Sequence, residues 1–150
     1  MAQQHNPISI GPIGVVRNGE HDPARQDWSR VHSSIELQPD LAPALDGLAG
    51  FPPAIAGGWL DRIPEDRRAR RRAHPAGDER LPLLGALALR GGARPNPLSV
   101  TVCRLRSVSG ARVEVVGLDL VDGTPVLDLK PYIAAYDSQP GATLPDWAQG

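Results

Sequence analysis

The chain has 150 residues, 22% of them charged, with a formal net charge of -1. That is long enough for one domain with a proper core, and the near-neutral balance excludes attraction to nucleic acid or an anionic membrane through a global field. Aromatic residues make up only 4%, so aliphatic side chains must build most of the core, while Gly and Pro at 16 each argue for many turns and few long helices, hence a β-rich or irregular fold.

In chain order, residues 1–6 read as a frayed end. Residues 8–17 read as a first strand bent by Gly11, Pro12 and Gly14, and Asn18-Gly19 is a turn signal. Residues 20–29 are polar and irregular, and residues 31–37 alternate weakly as a second strand. Residues 40–48 read as a short helix, with Asp40 as N-cap, Pro43 in the first turns, and Leu41, Leu45 and Leu48 on one face. Residues 54–60 are apolar but glycine-rich, a weak strand at best.

Residues 61–80 form a charged insertion built around Arg67, Arg68, Arg70, Arg71 and Arg72. Such a run can contact phosphate. It is equally an exposed loop or short helix whose charge is partly offset by Glu65 and Asp66. With no aromatic residue interleaved, it is not a stacking platform for single strands. Residues 81–89 are an apolar strand candidate, and residues 90–97 a loop in which Gly91-Gly92 permits close backbone approach. Arg90 and Arg94 set two forked donors beside it, suited to carboxylates or phosphates. Residues 99–108 and 113–116, joined through Ser109-Gly110, read as a hairpin. Cys103, the single cysteine, lies in that alternation and reads as a buried structural thiol.

The densest stretch is residues 117–132, with three carboxylates, the only lysine of the chain and a tyrosine. Asp122-Gly123 signals a turn. On the strand after it, Val126, Asp128 and Lys130 share one face, while Leu127 and Leu129 share the other and are expected in the core. Asp128 and Lys130 are spaced for an ion pair. The residues from 134 to 150 read as a tail on which Trp147 can dock.

Some sites are missing. No G-x-G-x-x-G, P-loop or G-x-S-x-G occurs, and His5, His21, His32 and His74 lack metal-ligand spacing. No apolar run is long enough to span a bilayer and no signal-peptide core is present, so the expectation is a soluble cytoplasmic protein with no membrane partner and no metal.

Several segments resemble a known family. Ile13-Gly14-Val15-Val16-Arg17 resembles its opening IGVIRS. Residues 34–37 and 44–51 resemble S-x-I-x-L and AL-x-GLE-x-F, and residues 85–98 resemble GVFATRSPHRPNPIG. Residues 118–132 are nearly identical to LDLLDGTPVLDIKPY. The chain is identified as similar to the TsaA-like (YaeB-like) family, whose best-known members are the S-adenosylmethionine-dependent tRNA methyltransferases called TrmO. The resemblance implies an all-β, mostly antiparallel fold: a small closed or partly open β-barrel with short helices and the charged insertion. It covers residues 10–137, leaving residues 1–9 as an N-terminal arm and 138–150 as a C-terminal tail.

The resemblance also implies S-adenosyl-L-methionine as cofactor, a homodimer with the cofactor near the subunit interface, and methyl transfer to N6 of threonylcarbamoyladenosine in tRNA. The positions it carries over as cofactor contacts are Arg25, Gln26, Arg90, Val100, Leu118 and Asp119. Arg94, Asn96, Asp128 and Lys130 are placed around the substrate or as pocket supports, and Asp122 and Tyr132 are the candidate bases. Departures from the pattern are Phe51-Pro52-Pro53-Ala54-Ile55 in place of FSH-x-W, Asp61 at a downstream His position, and Leu89, Gly91 and Ala93 where the family has Thr, Ser and His. They thin a polar cluster near the cofactor and leave two alternatives: a methyltransferase of the same fold acting on a small molecule, or a non-catalytic barrel binding a nucleotide or a partner protein.

Overall fold

The computed structural model describes residues 5–149. Residues 1–4 of the expected frayed end, and Gly150 of the tail, lie outside the described residues. Six antiparallel strands close into a barrel: β1 (Gly14–Arg17), β2 (His32–Leu37), β3 (Ala54–Trp59), β6 (Leu98–Ser109), β7 (Arg112–Val116) and β8 (Pro125–Pro131), in the order β1-β2-β7-β6-β3-β8. A two-stranded ribbon, β4 (Arg72–Ala73) with β5 (Leu84–Gly85), stands apart, and the helices are short, α1 (Glu65–Arg68) and α2 (Ala134–Asp137). The expected all-β barrel is present, and it is closed.

Val16, Ile35, Val113, Val115, Leu118, Leu120 and Val126 fill the barrel with aliphatic atoms, as the scarcity of aromatics requires. β6 and β7 form the expected hairpin, turning through Gly110 at φ 59°. Gly123, at φ 83°, turns the chain into β8.

Several local expectations need correction. The first strand spans only Gly14–Arg17; Pro12 has no N–H for a ladder, and Ile8 and Ile10 are exposed. The helix over 40–48 is a 3-10 helix over Pro39–Leu45, with Gln38 rather than Asp40 at the N-cap position and no side-chain cap bond. Pro43 inside it lacks the N–H an α-helix would use. Leu45 is nevertheless buried, with Leu41 and Leu48 packed against the core. Residues 81–89 contribute only the two residues of β5, followed by a 3-10 turn at Ala86–Ala88, and Leu83 and Leu87 are exposed.

The glycine-rich run at 54–60, expected to be weak, is a fully paired strand between β6 and β8. Small residues are what this position demands. Ala54, Ala56 and Gly58 are buried, and a Cβ built on Gly58 would lie 2.9 Å from Leu120 Cδ1. The partner strand β8 explains another correction. Gly57 faces Asp128 but Gly58 faces Val126, so Leu127 is an extra residue that bulges out. The bulge reverses the alternation. Val126 points to the core with no exposure, Leu129 also packs on it, and Asp128 and Lys130 stay outside.

Closure occurs at β1. Gly14 pairs with Leu37 on one side and Val126 on the other. A Cβ on Gly14 would collide with the Glu36 carbonyl oxygen and lie 2.9 Å from Leu37 Cα. Backbone atoms cannot swing away as a side chain can. Gly14→Ala should therefore lower stability by about 1–3 kcal/mol, read as a fall of several degrees in the thermal midpoint; an unchanged midpoint would show that the seam is slack.

Candidate functional site

The chemistry-bearing residues gather around the first half of β6. At twelve residues it is the longest strand, and its alternation sends Cys103 inward while Leu98, Val100 and Val102 face out, 45%, 57% and 52% exposed. The 90–97 loop lies beside this band. Arg94 folds back to donate to the carbonyls of Leu89 (2.9 Å) and Gly91 (3.2 Å), which shapes the loop from within. Arg90 reaches across and donates to the Val100 carbonyl. From the other side Asp119 accepts from the Thr101 hydroxyl. Between them lies a cleft of about 300 Å³ lined by Arg90, Arg94, Asn96, Leu98, Ser99, Val100, Thr101 and Asp119.

Sequence reasoning thus identifies five cleft residues, Arg90, Arg94, Asn96, Val100 and Asp119, but not Leu98, Ser99 or Thr101. The Thr101–Asp119 bond joins residues 18 apart, with no local spacing to announce it. Leu118 is fully buried, so only its backbone can meet a ligand. Arg25 and Gln26 do not line the cleft. Arg25 pairs with Glu20 at 3.1 Å and lies over the Trp28 ring at 5.8 Å, and Gln26 donates to the Ala24 carbonyl. Their loop ends at Ser29 and Arg30, which line a second, more open hollow of about 480 Å³ with Val102, Arg104, Val116 and Gly117. The two hollows therefore lie along the same outer band of β6.

The other candidates lie elsewhere. Asp128 and Lys130 form an ion pair at 2.7 Å on the outer face of β8, both more than half exposed. Their hydrogen bond holds the Lys130 ammonium above its ordinary value, so it stays charged. Tyr132 is half-buried and its N–H donates to the Pro53 carbonyl. Trp147 in the tail is half-buried as well. The Cys103 thiol is pushed up to about 11, first by burial and then by Asp119, so it is protonated at neutral pH, in keeping with a structural thiol. Among the described residues, no group of three His, Cys, Asp or Glu side chains could hold a metal.

Asp122 has a structural task. Its carboxylate accepts the backbone N–H groups of Asn18 (2.8 Å) and Gly19 (3.1 Å), clamping the end of β1 to the turn before β8. Those two bonds, with smaller help from Arg17, hold its carboxyl below the usual value. A depressed native pKa means stabilisation that is complete above the unfolded value of about 3.9 and fades as pH falls through the native one. Asp122→Asn should thus be less stable than wild type at pH 7, with the gap closing on acidification below pH 4. A gap independent of pH would show that the charge contributes nothing.

Comparison with known proteins places this geometry. The family model for the tRNA-methyltransferase O N-terminal domain matches residues 18–138. A "Probable S-adenosyl-L-methionine-binding protein" of Methanothermobacter thermautotrophicus is 35% identical over 135 residues, covering 87% of this chain and 94% of that protein. The mouse tRNA (adenine(37)-N6)-methyltransferase is 50% identical over 54 residues, which is 36% of this chain and 12% of the enzyme. The crystal structure of TrmO from Pseudomonas aeruginosa superposes with a TM-score of 0.75 at 28% identity, over 92% of this chain and 61% of that one. The chain thus spans nearly all of the archaeal relative but less than two thirds of the other two. It belongs to the tRNA-methyltransferase O N-terminal domain family.

Proposed function

We propose that the chain is an S-adenosyl-L-methionine-dependent methyltransferase that modifies N6 of threonylcarbamoyladenosine in tRNA. The observation that carries this reading is the β6 cleft, where a guanidinium (Arg90) and a carboxylate (Asp119) stand on either side of an exposed apolar residue (Val100). Those groups match the parts of the cofactor: a forked cation for its carboxylate, an acceptor for its ribose hydroxyls, and an aliphatic surface for its adenine. At about 300 Å³ the cleft lies at the small end of the roughly 300–1,000 Å³ typical of ligand sites. The relatives named for S-adenosylmethionine binding and tRNA adenine methylation support the same reading.

The cofactor would supply a methyl group activated by its sulfonium charge. The protein's part is then alignment, since an in-line displacement is accelerated chiefly by holding donor and acceptor in register. Arg94 shapes the loop and Thr101 orients Asp119. Of the two candidate bases, Asp122 fits poorly: its carboxylate is engaged by two backbone donors and held acidic. Tyr132, beside Pro53, does not line the cleft either, so neither candidate is in reach of a proton there within the single chain.

The apolar band of Leu98, Val100 and Val102 supports a homodimer in which a second copy covers β6 and encloses both hollows, bringing the Arg25–Gln26 loop of either copy near a cleft. A cytoplasmic location is consistent with a tRNA substrate. No helix among the described residues is long and apolar enough to cross a membrane.

The test is a thermal-shift titration with S-adenosylmethionine and S-adenosylhomocysteine, run beside methyl transfer to tRNA. Ligand at a hundred times its dissociation constant adds about 2.7 kcal/mol, a rise of about 5–10 °C at this size. Arg90→Ala and Asp119→Ala should abolish the shift while leaving the fold intact, and Val100→Glu should give a monomer in sedimentation. Cofactor binding without tRNA methylation would transfer the reading to a small-molecule acceptor. No saturable shift in the wild type would leave a non-catalytic binding barrel.

A further inference from the structure

We propose that the arginine-rich arm over residues 62–72 is the phosphate-binding element of the protein, gripping the RNA backbone beside the β6 cleft; this rests on the RNA-modifying function proposed above. The arm carries Arg62, Arg67, Arg68, Arg70, Arg71 and Arg72 against only Glu65 and Asp66, in a chain whose net charge is -1. Net positive charge is therefore concentrated in this segment. It is also unneutralised. Among the described residues, the ion pairs use Arg17, Arg25, Arg80, Arg112 and Lys130, and none uses an arginine of the arm.

The six arginines divide by task. Two are anchors. Arg62 donates to the Asp122 carbonyl at 2.7 Å, at the turn that Asp122 clamps to β1. Arg68 lies over the Trp59 ring at 5.6 Å and donates to the Pro95 carbonyl at 3.3 Å, with its Nε buried against the protein. The other four, Arg67, Arg70, Arg71 and Arg72, are exposed. Behind them the backbone is tied down, because Arg72 pairs with Gly85 in the β4–β5 ribbon and Ala86 N–H donates to the Arg71 carbonyl at 2.9 Å.

The anchors fix the arm to the wall of the cleft. Pro95, the acceptor for Arg68, belongs to the loop that carries Arg90 and Arg94. The same loop packs so closely on the arm that a Cβ at Gly92 would lie 2.8 Å from Ile63 Cδ1. Exposed cations are thus held in place next to the loop that shapes the cleft, which is the arrangement that would guide a polyanion toward it. The arm has no exposed aromatic for base stacking, and an arginine reads a phosphate without reading sequence. Its contribution is affinity and orientation; the choice of base belongs to the cleft.

The experiment is fluorescence anisotropy of the full chain with a labelled anticodon stem-loop RNA between 50 and 200 mM salt, comparing wild type, the triple variant Arg67→Gln/Arg70→Gln/Arg72→Gln, and the matching triple lysine variant. The glutamine variant should lose about tenfold in affinity at low salt and flatten the slope of log affinity against log salt by about 2. The lysine variant should keep the slope. The S-adenosylmethionine thermal shift should be unchanged in both, which separates loss of RNA contact from loss of fold. An unaltered slope in the glutamine variant, no RNA binding by the wild type, or loss of slope in the lysine variant would each overturn the assignment. So would arm-dependent binding to phosphatidylserine vesicles in place of RNA. Arm-dependent RNA binding in a protein that transfers no methyl group would uphold the arm and sink the methyltransferase reading alone.

Discussion

The barrel depends on a narrow seam. β1 meets β8 through two residue pairs, Gly14 with Val126 and Val15 with Pro125, reinforced by hydrogen bonds from Ile13 N–H to the Val126 carbonyl and from Val16 N–H to the Thr124 carbonyl. Closure removes the unpaired edges that an open six-strand sheet would leave. It requires backbones to come close where a side chain would stand between them, which is why Gly14 occupies β1 and Ala54, Ala56 and Gly58 line the inner face of β3. The Leu127 bulge lets β8 serve both neighbours, giving Val126 to the core while Asp128 and Lys130 stay in water.

The site follows from that seam. The Asp122 turn delivers the chain into β8 and is clamped to the end of β1 by its own carboxylate. Just upstream, Leu118 and Leu120 are buried in the barrel while Asp119 between them is left outside, facing Thr101 of β6. One alternation therefore performs two tasks. Burying the two leucines aims the carboxylate at the cleft, without any separate scaffold. β6 works in the same way: packing Cys103 inward leaves Val100 and Val102 outside as a floor.

Much of this was legible in residue pattern, and the failures have physical causes. The β6–β7 hairpin, the Asp122-Gly123 turn and the buried Cys103 follow from local periodicity and turn chemistry. The strength of β3 was not legible, because Gly and Ala read as weak strand formers until tertiary packing demands small residues. Beyond the Leu127 bulge the faces of β8 follow the alternation, but the inward face of Val126 is not legible, since one extra residue reverses an alternation and leaves no mark in composition. At the site, the Arg-Gly loop chemistry points to Arg90 and Arg94, whereas Val100 and Asp119 follow from the resemblance rather than from periodicity. Asp122 stands out in sequence as a carboxylate in a dense motif, yet its carboxylate meets the backbone of Asn18 and Gly19, more than a hundred positions away.

A cofactor site in the β6 cleft is tested most directly by a crystal structure with S-adenosylhomocysteine bound. Ligand density is expected against Arg90, Val100 and Asp119, with the ligand's carboxylate toward the arginine. Density confined to the hollow at Ser29, Arg104 and Gly117, or no density at saturating ligand, would contradict it.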